Sequence, residues 1–202
     1  MATIYDLKPR FQALLRPIAG RLVHIGATAN GVTLAALILS VAQGAAIALW
    51  PDARWPLLLL PITLFVRMAL NAIDGIMAKE HGQKTPVGAL FNELSDVVSD
   101  AALYLPFALI AGVNAPLVVL VVIVSVIAEM VGVLGPMIGA SRRYDGPFGK
   151  SDRAFAFGAL AVLLGIGLTP GLWTTLVLAA MLALAILTVW NRARRALAEA
   201  AQ

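Results

Sequence analysis

Residues 115–138 read APLVVLVVIVSVIAEMVGVLGPMI, 24 positions with a single ionisable side chain, Glu129. A helix needs about 20 apolar residues to cross the hydrocarbon core of a bilayer, so this stretch predicts a transmembrane helix. Five more segments qualify on either side of it, at about 31–50, 55–73, 88–112, 154–169 and 171–190. Pro and Gly punctuate the joints, at Pro51, Pro56, Pro86, Gly112 with Pro116, Pro136, and Pro170-Gly171. The whole chain agrees: it is 60% hydrophobic and 13% charged, with a mean hydropathy of +0.89. A soluble domain carries roughly 25% charged residues. An ordinary soluble enzyme, a disordered chain and a nucleic-acid-binding module are thereby excluded. The pI near 9.9 reads as loops held against an anionic leaflet, and no nucleic acid is expected as a partner. The chain lacks cysteine, so it has no disulfide, thiolate metal site or cysteine nucleophile.

Lysine and arginine set the orientation. Lys8, Arg10, Arg16 and Arg21 precede the first span, Lys79 and Lys84 follow the second, and Arg142, Arg143, Lys150 and Arg153 follow the fourth. Arg192, Arg194 and Arg195 follow the sixth. The opposite side has only Arg54, and Arg67 falls within the second span. Both termini are therefore expected in the cytoplasm. Over residues 4–25, Ile4, Leu7, Phe11, Leu14, Leu15, Ile18, Leu22 and Ile25 recur at steps of three and four between basic residues. That pattern predicts an amphipathic helix lying in the cytoplasmic interface, broken or kinked at Pro9 and Pro17. The expected fold is all-α: an integral membrane bundle of six transmembrane helices over about 31–190. The interfacial helix precedes it, a cytoplasmic tail at 191–202 follows, and residues 1–202 form one domain.

Acids are costly at membrane depth and mark function by default. On the third span Asn92, Glu93, Asp96 and Asp100 lie within about 100° of one another around a helix. On the second, Asn71 and Asp74 are three apart and share a face. With 75–87 read as a short polar hairpin, the two helices are antiparallel neighbours whose carboxylates converge just inside the cytoplasmic surface. Crowded carboxylates in low dielectric protonate unless a cation sits among them. Oxygen-only donors favour a hard divalent ion such as Mg²⁺, with Mn²⁺ or Ca²⁺ also suitable. Gly75 and Gly88 let bulky groups approach the backbone, and Lys79 and Lys84 lie at headgroup level. These residues point to a metal-dependent site for a phosphate-bearing, lipidic ligand.

The spacing Asn71-x-x-Asp74-Gly75-x-x-Ala78-Lys79, eight residues, Gly88-x-x-x-Asn92-x-x-x-Asp96 resembles the signature of the CDP-alcohol phosphotransferases. That signature has Asp at the first and third acidic positions and Arg in place of Lys79. The segment 26–34, GATANGVTL, is similar to that family's opening of its first span. The resemblance implies transfer of a phosphatidyl group from CDP-diacylglycerol to an alcohol acceptor, with release of CMP, in phospholipid synthesis. It implies Asp74, Asp96, Asn71 and Asn92 as metal ligands, Asp96 as general base, and Asn30, Gly75, Ala78, Lys79 and Gly88 at the nucleotide donor. A homodimer in the bacterial inner membrane, with the site facing the cytoplasm, is implied as well.

Each asparagine removes a negative charge, which weakens a binuclear site; Glu93 and Asp100 compensate as further ligands. The expectation is one firmly held metal and a second recruited with substrate. Arg142, Lys150 and Arg153, in the cationic stretch 141–153, are the candidates for holding a small alcohol or sugar phosphate acceptor. Glu129 either reaches that acceptor or pairs with Arg67, the pair being preferred. His24 and His81 read as interfacial polar residues, and Trp50, Trp55, Trp173 and Trp190 as an aromatic belt. Gly132, Gly135 and Gly139 suggest close helix contact. Two other readings stay open: a catalytically impaired relative that still binds CDP-lipid or nucleotide, and an ion-coupled transporter.

Overall fold

The computed structural model describes residues 4–201, with side chains from residue 11 onward. Its order is α1 (Ile4–His24), α2 (Ala29–Leu49), α3 (Arg54–Glu80), α4 (Pro86–Tyr104), α5 (Ala115–Leu134), α6 (Lys150–Gly165) and α7 (Leu172–Ala200). Short 3-10 segments follow α4 (Leu105–Leu109) and α5 (Gly135–Ile138). Among the described residues four helices are long and apolar enough to cross a membrane: α2, α3, α5 with its 3-10 extension, and α7. Helix α4 carries Glu93, Asp96 and Asp100 in 19 residues, and α6 is only 16 residues long. The chain divides into two compact units. The first holds the chain up to Ala42 together with Ile62–Ser99; the second holds Gln43–Pro61 and everything from Asp100 onward.

In the first unit α1 packs Phe11, Leu15, Ala19 and Leu22 against Val32, Ile73, Ile76 and Met77. Leu14, Ile18 and Ile25 stay exposed and apolar. The amphipathic stripe is thus shared between protein and an outward face. The side chains of Ile4, Leu7, Lys8, Pro9 and Arg10, which belong to the same expectation, lie outside the described residues. The helix does not break at Pro17. Helix α3 runs on through Gly75 to Glu80, where a polar hairpin was expected from residue 75. One glycine costs about 1 kcal/mol in a helix, and the Ile-Met-Ala-Lys that follows consists largely of helix formers. The stop comes instead at Gly82, whose φ of 69° suits glycine. Gly75, Ala78 and Lys79 are therefore helical.

The second unit is built around α5 packed on α7. The Tyr104 ring stacks on Phe157 at 4.2 Å and Phe107 meets the same ring edge-on at 5.2 Å. At Gly44 a Cβ would collide with the Ala102 carbonyl oxygen, so only glycine allows that approach. Three sequence expectations change here. The span read to 112 ends as α-helix at Tyr104, because Pro106 lacks the N–H that would continue it. Helix α7 runs through the stretch read as a tail as far as Ala200, since nothing after Trp190 breaks it. Gly132 is small for the loop and for Arg192 of α7, and Gly135 for the loop alone. The Arg143 and Ser141 carbonyl oxygens would lie 2.7 and 2.5 Å from a Cβ at those positions, and Arg143 N–H donates to Gly132 O at 3.0 Å.

Candidate functional site

Arg67, Asn71 and Asp74 stand at steps of four and three along α3 and so share one face. Asn92, Glu93 and Asp96 occupy the facing helix, α4. The two helices meet at Asp96: Asn71 Nδ2 donates to Asp96 Oδ1 at 3.1 Å. Arg67 Nη2 donates to the Asp96 backbone carbonyl at 3.1 Å and lies 3.4 Å from Oδ1. Asp74 is buried, and its Oδ2 accepts from the Thr33 hydroxyl of α2 at 2.7 Å. A buried carboxylate needs such partners, because desolvation would otherwise favour its neutral form.

The residues expected at the nucleotide donor lie in the same unit. Gln83, in the loop between α3 and α4, accepts from Ala29 N–H at 2.6 Å and donates to the Ala27 carbonyl at 3.3 Å. It caps the start of α2 and fixes the segment that carries Asn30. A Cβ on Gly88 would lie 2.6 Å from Asn30 Oδ1, so glycine there is what lets Asn30 sit over the start of α4. Gly75 differs: a Cβ there would meet nothing within 4 Å. No packing neighbour requires a glycine in mid-helix, and the space beside it is open. Lys79 and Lys84 are exposed.

In the second unit a buried charge cluster takes Asp100, Glu129, Arg153 and Arg192. Arg153 Nε and Nη2 donate to Asp100 Oδ2 at 3.0 and 2.8 Å, and Nη2 also reaches Glu129 Oε1 at 2.9 Å. Arg192 Nη1 lies 3.2 Å from Glu129 Oε2 and donates to Ala128 O at 2.6 Å. Glu129 pairs with Arg153 and Arg192, and in the first unit Arg67 binds Asp96. Asp100, expected as a further ligand, accepts from Arg153. Arg153 keeps one donor over: its Nη1 is buried and makes no hydrogen bond among the described residues.

The loop 139–149 is tied down by charge. Arg143 pairs with Asp145 at 2.7 Å and with Glu199, and its hydrogen bond holds the Asp145 carboxyl below the usual range. Arg192 Nε donates to the Asp145 carbonyl at 2.9 Å. Gly146, at φ 133°, packs directly on Thr188, whose hydroxyl accepts from Phe148 N–H at 3.0 Å. Arg142 lies over the Tyr144 ring, 4.5 Å from its centre.

Among the described residues no group of three or more His, Cys, Asp or Glu side chains is placed to hold a metal ion. Two of the four signature positions are amides, Asn71 and Asn92. The donor chemistry of two aspartates and two amides, all oxygen, is that of a hard ion of the Mg²⁺ type, which takes one or two carboxylates and leaves positions for phosphate oxygens. Sequence reasoning missed Arg67 as a site residue, although its spacing from Asn71 and Asp74 places it on their face. It also missed Thr33, Gln83 and Arg192, for which no local pattern stands out.

No family model matches the chain. Over 202 residues it is 45% identical to the inner membrane protein YnbA of Escherichia coli K12, covering 99% of both. Its fold is that of Mycobacterium tuberculosis phosphatidylinositol phosphate synthase (PgsA1). With CDP-DAG bound, that structure matches at a TM-score of 0.72 and 20% identity, over 93% of this chain and 94% of the other. In complex with manganese and citrate it matches at 0.75 and 21%, over 91% and 88%.

Proposed function

We propose, for a chain that belongs to the same family as the inner membrane protein YnbA, the activity of a CDP-alcohol phosphatidyltransferase. It moves the phosphatidyl group of CDP-diacylglycerol to an alcohol and releases CMP, in phospholipid synthesis. On this reading it is a six-span protein of the bacterial cytoplasmic membrane. Both termini and the site face the cytoplasm, and the chain works as a homodimer. The observation that carries the reading is the Asn71–Asp96 hydrogen bond, 3.1 Å across α3 and α4, which joins the two halves of the spaced signature. The fold shared with a CDP-DAG-bound synthase supports it.

Asp96 takes the proton from the acceptor hydroxyl. The acceptor oxygen then attacks the phosphorus that carries the diacylglycerol, the bond to the CMP oxygen breaks, and CMP leaves with the electron pair. Asp74 and Asp96, with the amide oxygens of Asn71 and Asn92 and the nearby Glu93, would hold one Mg²⁺ or Mn²⁺. That ion neutralises diphosphate charge and orients the displacement. Thr33 holds the Asp74 carboxylate in place. Asn30, Gly75, Ala78, Gly88 and Lys79 receive the nucleotide donor, and the open space beside Gly75 supports that assignment. Lys79 supplies charge without the bidentate fork of an arginine. Arg142, Lys150 and Arg153 are assigned to the acceptor, whose oxygen would take the spare Arg153 Nη1 donor.

The test is CMP release by purified protein with CDP-diacylglycerol and Mg²⁺, against a panel of alcohols and sugar phosphates, with chelator as control. Acceptor-dependent, chelator-sensitive CMP is the expected result, and it names the acceptor. Thermal stabilisation by CDP-diacylglycerol without turnover on any acceptor would favour the impaired relative, to which the two asparagines also point. Gly88→Ala is expected to raise KM for the donor about three- to tenfold, the worth of one displaced hydrogen bond. The melting temperature should stay near wild type, because Asn30 is exposed and can swing away. An unchanged KM would remove Asn30 from the donor site.

A further inference from the structure

We propose that a polar stripe on α7 holds the loop 139–149 in place and thereby sets the affinity for the acceptor, with Glu199 as a positioning residue. The proposal rests on the transferase reading above, which assigns Arg142, Lys150 and Arg153 to the acceptor.

Thr188, Arg192, Arg195 and Glu199 follow one another along α7 at steps of four, three and four, so they share one face of the helix. Each of them holds the loop, and they do so in order. Glu199 takes the first residues. Its carboxylate accepts from Ser141 N–H and from the Ser141 hydroxyl, both at 2.9 Å, and from Arg143 Nη1. Arg195 Nη1 donates to the Asp145 carboxylate, and Arg192 Nε donates to the Asp145 carbonyl at 2.9 Å. Thr188 takes the last residues, accepting from Phe148 N–H at 3.0 Å and packing on Gly146. The loop thus runs antiparallel to α7, with contacts at each helical turn. It leads directly into α6, which begins at Lys150 and carries Arg153.

The other flank of the loop lies on the end of α5. The Ser141 and Arg143 carbonyl oxygens come so close to Gly135 and Gly132 that a Cβ at either glycine would collide with them. A lone exposed ion pair holds little. Glu199 differs, because one carboxylate collects a backbone N–H, a hydroxyl and a guanidinium, and charge-assisted bonds are the stronger kind. Arg143 carries the link onward to Asp145 at 2.7 Å. Ser141 and Arg143 are the residues on either side of Arg142, so Glu199 acts on Arg142 through the backbone. Releasing the loop should therefore weaken acceptor binding and leave the chemical step alone.

The test measures CMP release with donor and acceptor varied separately, using the acceptor that wild type turns over. Cutting by trypsin after Arg142 and Arg143 is followed on the same purified proteins in detergent. Glu199→Ala is expected to raise KM for the acceptor about tenfold, the worth of one hydrogen bond to a charged group, with kcat and donor KM within about twofold of wild type. Trypsin should cut its loop about tenfold faster, since a released segment opens more often. Glu199→Gln keeps an oxygen for Ser141 N–H and should fall between the two. Arg194→Ala, exposed on the opposite face of α7, should match wild type. An unchanged acceptor KM, an equal rise in donor KM, or unchanged cutting in Glu199→Ala would each overturn the proposal. So would the same rise in Arg194→Ala, because charge at the end of α7 rather than the stripe would then be responsible. Wild type that releases no CMP on any acceptor would overturn the transferase reading instead. The cut then decides the clamp alone: faster cutting in Glu199→Ala keeps it, and equal cutting removes it.

Discussion

Asp96→Asn is expected to lower kcat for CMP release by about 10²- to 10⁴-fold, the usual worth of a positioned general base. The amide cannot accept the acceptor's proton at neutral pH, yet its carbonyl oxygen still accepts from Asn71 and Arg67. The link between α3 and α4 therefore survives, and the loss reads as chemistry. Binding of CDP-diacylglycerol, followed by thermal stabilisation, should weaken far less than turnover, because the remaining donor residues are untouched. The measurement is kcat at saturating donor and acceptor beside the melting temperature of each protein. A fall in kcat of less than tenfold with a normal melt would take Asp96 out of proton transfer.

The largest stability effect is expected at Arg153. Removing one partner of a buried ion pair leaves uncompensated charge and typically costs about 3–5 kcal/mol. Arg153 is 2% exposed and neutralises both Asp100 and Glu129. Arg153→Met should therefore lower the unfolding free energy by about that amount, read as an earlier denaturation midpoint in mild detergent. The double variant Arg153→Met with Asp100→Asn should recover a substantial part of the loss, because the stranded carboxylate is gone. Equal destabilisation of the single and double variants would mean that packing of the long side chain, rather than charge, dominates.

These two residues also mark where the sequence was legible and where it was not. The helical segments could be read because apolar runs and Pro/Gly joints are local signals. Their edges moved where local propensity outlasted the apolar run, as in α3 beyond Gly75 and α7 beyond Trp190. The meeting of Asn71 with Asp96 followed from fixed spacing, since Asp96 lies on a helical face and Asn71 on its antiparallel neighbour. Partner choice among the intramembrane charges did not follow. Arg67 had an acid within reach of either reading, and depth along a span does not say which neighbour a long side chain meets. Gln83 was hidden for a different reason: its two hydrogen bonds cross more than 50 positions of chain.

The acids of α4 bear on how the protein is made. A charged side chain at the centre of a helix adds about 2.5–3.5 kcal/mol to its cost of insertion from the translocon. Helix α4 carries three acids and is not among the four helices apolar enough to cross on their own terms. Helix α3 leaves the ribosome first and brings Arg67 and Asn71, the groups that satisfy Asp96. On the six-span reading, insertion of α4 should therefore wait on α3, the pair entering as a hairpin. The contacts that define the site would then also be its licence to enter the bilayer.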